Sequence, residues 1–134
     1  MDTLRFGVCA TRHSDAPLMR ESGIQWVRNS FPYPFTDKIS GELSVEYIKA
    51  RDSARKWVQG GMKVLGVSPC PFHGRRTPGL DGRLALVTTS GFPDWAGKPG
   101  TPAYNRNYQD TCAWMANDLR GIVGMWQVAN ELDI

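Results

Sequence analysis

Four short apolar runs that alternate with helix-like stretches constrain this chain more than anything else in it. Leu4-Arg5-Phe6-Gly7-Val8-Cys9-Ala10, Ile24-Gln25-Trp26-Val27-Arg28-Asn29, Met62-Lys63-Val64-Leu65-Gly66-Val67 and Val123-Gly124-Met125-Trp126-Gln127-Val128-Ala129 all read as strands. Between them lie three helical stretches. Asp15 to Ser22 has Asp15 as N-cap, Pro17 in the first turn, and Ala16, Leu18 and Met19 as its apolar side. Ser44 to Gln59 has Ser44 as cap and Val45, Ile48, Ala54, Trp57 and Val58 as its stripe. Asn105 to Leu119 turns Tyr108, Cys112, Met115 and Leu119 inward. Gly23, Gly60-Gly61 and Gly121 stop the three helices. The order β-α-β-α-β-α-β implies a parallel sheet with right-handed crossovers.

The chain has 134 residues, which is one domain by size. One segment interrupts the alternation. Ser68 to Ala103 is rich in Pro and Gly and reads as a long loop. Its middle, Leu84 to Thr89, fits a short strand or a helical turn, and the sequence does not decide between them. The loop after the second strand carries Phe31-Pro32-Tyr33-Pro34-Phe35.

Composition excludes several classes. The net charge is +3, and the basic residues are scattered among acids with only Arg75-Arg76 as a doublet, so no nucleic-acid partner is expected. No apolar run is long enough to cross a bilayer, and Met1 to Arg5 lacks signal-peptide architecture. Cys9, Cys70 and Cys112 form an odd set without metal spacing. They read as reduced, buried thiols of a cytoplasmic protein, although a piece of a secreted enzyme would look the same. Gly97-Lys98-Pro99-Gly100 lacks the spacing of a phosphate loop. No cofactor and no metal are expected.

The last nine residues carry the chemistry. Trp126-Gln127-Val128-Ala129 runs into Asn130-Glu131, so a strand delivers a carboxylate at its C-terminal end. Parallel barrel enzymes present catalytic groups in this way. Together with Met19-Arg20-Glu21-Ser22-Gly23-Ile24-Gln25-Trp26-Val27-Arg28 and Gly61-Met62-Lys63-Val64-Leu65, this stretch resembles the N-terminal half of a (β/α)8-barrel glycoside hydrolase. The clan it resembles is the large retaining one of cellulases, β-galactosidases, β-xylosidases and mannanases. The likeness spans nearly the whole chain.

The resemblance implies a (β/α)4 half of a TIM barrel. It implies Glu131 as general acid/base, Asn130 as a hydrogen-bond partner of the sugar 2-hydroxyl, and Arg28 beneath the site near the nucleophile. The clan's nucleophile is a Glu at the end of strand seven, and the sequence holds no strands five to eight. The remaining candidates come from their places in the chain. His13 and His73 follow the first and third strands, where ligands bind in parallel α/β folds, although a lone loop histidine is often only solvated. Tyr33, Phe35, Phe72, Phe92 and Trp95 suit the stacking of sugar C–H faces, Trp95 best, unless they plug the loops onto the core. Trp26, Trp57, Trp114 and Trp126 lie on predicted elements and read as packing.

Four parallel strands cannot close a barrel by themselves. Open edges and an uncovered apolar face favour association. The expected assembly is a homodimer or higher closed homo-oligomer, with the fourth strand of one copy meeting the first of the other.

Overall fold

The computed structural model of the chain describes residues 6–9, 12–36, 41–69, 76–78, 84–86 and 100–128. Its main sheet has four parallel strands: β1 (Phe6–Cys9), β2 (Ile24–Ser30), β3 (Lys63–Val67) and β6 (Val123–Gln127), in the order β1-β2-β3-β6. Three helices connect them: α1 (Ala16–Glu21), α2 (Val45–Gln59) and α3 (Pro102–Asp118). A two-stranded antiparallel hairpin, β4 (Arg76–Pro78) with β5 (Leu84–Leu86), interrupts the β3–α3 connection. The stretch that the sequence leaves open, Leu84 to Thr89, is thus a strand over 84–86.

The spatial order of the main strands follows the chain order. Each crossover of a sequentially ordered sheet has the same right hand, so every helix falls on one face. The core confirms this. Val27 of β2 and Val64 of β3 are buried with Ala16 and Met19 of α1, Ala54 and Trp57 of α2, and Met115 of α3. The opposite face of the sheet carries no helix among the described residues. A doubly wound sheet, which carries helices on both faces, does not have this geometry.

The caps explain the helix bounds. The Ser44 hydroxyl accepts from the Tyr47 amide at 3.2 Å, and Thr101 accepts from the Tyr104 amide at 3.4 Å, ahead of Pro102 in the first turn of α3. That cap starts α3 three residues before the expected Asn105. Asp15 stands at the N-cap position of α1 as expected, but its side chain makes no capping bond to that helix. Its carboxylate accepts from the Arg12 amide at 3.3 Å and closes a 3₁₀ turn over His13–Asp15 that precedes α1.

Two apolar stripes differ from those predicted. Leu18 is 66 % exposed, and α1 buries only Ala16 and Met19. On α2 the buried residues are Tyr47, Ala54 and Trp57, whereas Val45, Ile48 and Val58 stay exposed. Tyr47 wins the inward place because its hydroxyl finds a partner there. It donates to Asp118 of α3 at 2.8 Å, and Arg51 reaches the same carboxylate at 3.3 Å. Neighbouring anion and burial both hold the Tyr47 phenol in its neutral form, burial being the larger cause.

Candidate functional site

The strands' C-terminal ends gather the loops that a parallel α/β protein uses for function. Strand alternation sets what each face presents there. Val27 of β2 points into the helix layer, and the Asn29 side chain donates to the Ala50 carbonyl of α2 at 3.2 Å. Trp26, Arg28 and Ser30 therefore face the helix-free side. The register places Lys63, Leu65 and Val67 of β3 beside them.

On β6 an irregularity decides the face. Val64 pairs with Val123, but Leu65 pairs with Met125, so Gly124 is an extra residue in the ladder. Val123 and Trp126 consequently pack on the helix side, where a Cβ on Gly66 would stand 2.9 Å from Val123 Cγ1 and 3.0 Å from the Trp126 ring. Met125 and Gln127 turn to the opposite side.

Two β2 side chains lie across β3 on that helix-free face. Near the strands' N-terminal ends the Trp26 indole extends towards β6, and a Cβ on Gly124 would meet its ring at 3.4 Å. The Lys63 ammonium stands 5.7 Å from the centre of the Trp26 ring, and the indole N–H is buried without a hydrogen-bond partner among the described residues. Near the C-terminal ends Arg28 Nε donates to Gln127 Oε1 at 3.2 Å. This bond joins β2 to β6 over the intervening strand. It holds a half-buried guanidinium on the helix-free wall.

The other described candidates lie in the helix layer. His13 stacks on Trp57 of α2, with ring centres 4.5 Å apart. Its Nε2 is 3.2 Å from the Ser53 carbonyl oxygen and 3.1 Å from the Ser53 hydroxyl. A carbonyl oxygen only accepts, so the contacting nitrogen carries the proton. Ser53 in turn donates to Asn29 Oδ1 at 3.3 Å. His13 is thus the outer end of a short relay that ties the loop after β1 to α2 and β2. The structure does not bring it to Arg28.

Tyr33 packs with Tyr104 and Tyr108 of α3 and lies 5.8 Å from Phe35. Burial pushes its phenol up to about 12, against the opposing effect of a hydrogen bond with Thr111. Phe35 packs on Trp114 at 4.8 Å. These two loop aromatics plug the β2–α2 connection onto α3. Close by, the Tyr108 hydroxyl bonds the Ser68 hydroxyl at 2.9 Å and donates to the Pro69 carbonyl at 3.1 Å, which fastens α3 to the end of β3. Burial raises Tyr108 to about 12 and raises the half-buried Cys112 thiol beside it.

Glu131, Asn130, His73 and Trp95 lie outside the described residues, as do Phe72 and Phe92. Gln127 escaped the sequence reading. Nothing marks it in the strand pattern until the extra residue at Gly124 is known. Trp57, Trp114 and Trp126 pack in or against the helix-side core as expected, but Trp26 lies on the other face. Among the described residues, no three His, Cys, Asp or Glu side chains form a group able to hold a metal ion. No described helix is long and apolar enough to cross a membrane. No protein-family model matches the chain, and no curated protein matches its sequence.

Proposed function

We propose that the chain is half of a (β/α)8-type barrel that hydrolyses O-glycosidic bonds of β-linked sugars, with Glu131 as general acid/base and Asn130 beside it. The observation that carries this reading is the Arg28–Gln127 hydrogen bond on the helix-free face. It fixes a cation on the wall near the strand end that leads, three residues after Gln127, into Asn130-Glu131. A positioned guanidinium is what such a site needs to orient a carboxylate. Hydrolysis also needs a second carboxyl, about 5 Å away for retention or roughly 6.5–9.5 Å for inversion.

No acid stands on the described part of the helix-free face, so we assign the second carboxyl to a second copy of the chain. In that homodimer β6 of one copy lies beside β1 of the other, and two Glu131 residues face one cleft. From opposite sides of an eight-stranded wall they stand too far apart for efficient retention. The expected reaction is slow and of the inverting type. Assay with aryl β-glycosides checks the chemistry: turnover that persists unchanged in Glu131→Gln removes Glu131 from the mechanism. Light scattering at micromolar concentration checks the assembly, and a stable monomer rules out the two-copy cleft. The same lack of a described acid favours a second reading, a half barrel that binds sugar without cleaving it. Saturable sugar binding with no turnover selects that reading.

A further inference from the structure

The strands' N-terminal edge, away from the Arg28–Gln127 pair, carries a hollow of about 340 Å³ lined by Arg20, Gly23, Ile24, Gln25, Gly61 and Lys63. Two cations and one side-chain amide line it, and no acid does. Both cations are seated against a surface. Gly61 has φ 82°, and a Cβ there would stand 3.0 Å from a guanidinium nitrogen of Arg20 and 3.3 Å from its Cδ. Arg20 therefore lies along a backbone that only glycine leaves bare. The Lys63 ammonium rests over the Trp26 ring at 5.7 Å. The ion pairs found among the described residues, Arg12–Asp15, Arg51–Asp118 and Arg55–Asp52, use neither cation.

We propose that this hollow at the sheet edge binds a phosphate group, with Arg20 reaching it from the helix layer, Lys63 from the helix-free side and the Gln25 amide as a further donor. A guanidinium fork matches two oxygens of a tetrahedral anion, and an ammonium supplies a point charge to a third. The hollow exceeds the volume of bare phosphate, which leaves room for a small organic group esterified to it. The C-terminal carbonyls of α1 and α2 end at this same edge and oppose an anion, so one cation alone is insufficient. The site is independent of any glycosidase activity, because it lies at the other end of the strands.

Titration of the full ¹⁵N-labelled chain tests it, with inorganic phosphate and glycerol phosphate as probes and sodium chloride at matched ionic strength as the control. The expected result is saturable amide shifts at Gly23, Gln25 and Gly61 with either phosphate and none with chloride. Arg20→Gln and Lys63→Gln each weaken binding about tenfold, whereas Arg55→Gln leaves it unchanged. Tighter binding of glycerol phosphate identifies an ester as the ligand; equal binding identifies the free oxyanion; both support the site. Equal shifts with chloride, or binding undiminished in both glutamine variants, overturn it. Circular dichroism of each variant separates lost binding from lost fold.

Discussion

The two faces of the main sheet are built from the same strands and could hardly differ more. On the helix face Val27 is 2 % and Val64 0 % exposed, and three helices lay Met19, Trp57 and Met115 over them. On the other face Met125 is 49 % exposed, Arg28 and Gln127 share a hydrogen bond, and Lys63 rests on Trp26. Strand sequence alone does not produce this contrast. Winding the connections in one direction does, because it stacks every helix on one side. The first face is where stability resides, and the second is where chemistry or a partner has room.

Substitutions on matched positions of the two faces test that division, and the largest effect is expected in the core. Met115→Ala should cost about 2–5 kcal/mol by opening a cavity, while Met125→Ala should change the unfolding free energy of the single chain, read from urea denaturation, by no more than about 0.5 kcal/mol. Equal losses would dissolve the distinction. Asp118→Ala comes next. It leaves the Tyr47 hydroxyl and Arg51 without their shared acceptor, at a cost of about 2–3 kcal/mol, and Tyr47→Phe in the same background should add little if the two act as a unit.

The two glycines give a finer contrast. Gly66→Ala drives a Cβ into Val123 and Trp126 and should destabilise by about 1–3 kcal/mol. Gly124→Ala meets the Trp26 ring only at ordinary contact distance, so chemical denaturation should register a much smaller change. The smallest effect is that of alkaline pH. Tyr33 and Tyr108 titrate near about 12 when folded, above the usual value of about 10. A raised folded value stabilises fully below the unfolded value, and that contribution fades as pH climbs from about 10 towards 12. Unfolding midpoints followed across that window should fall, in step with the phenolate absorbance.

Much of this fold is legible in the sequence because its signals are local. Ser44 caps α2 as read, and Gly23, Gly61 and Gly121 adopt the positive φ that a chain reversal after a helix demands. What stays hidden depends on distant partners. Nothing near Tyr47 in the chain announces Asp118, so Ile48 looks like the better core residue. The Arg12 amide at the start of the 3₁₀ turn takes the carboxylate that the sequence offers as the cap of α1. The hairpin of β4 and β5 has runs of only three residues each, too short for periodicity to speak. Of the proposed site, Arg28 was legible from its place at the end of an apolar strand. Its partner Gln127 was not, since simple alternation from Val123 puts residues 123, 125 and 127 on one side.

The single surplus residue in β6 works as a parity switch for everything downstream in the strand. Pair Gly124 with Leu65 as plain alternation would, and the rotation of one step would send the Trp126 indole out to water and drive the Gln127 amide into oil. Deleting its codon would instead close the ladder in unbroken register and leave both the indole and the clasp on Arg28 on their present sides.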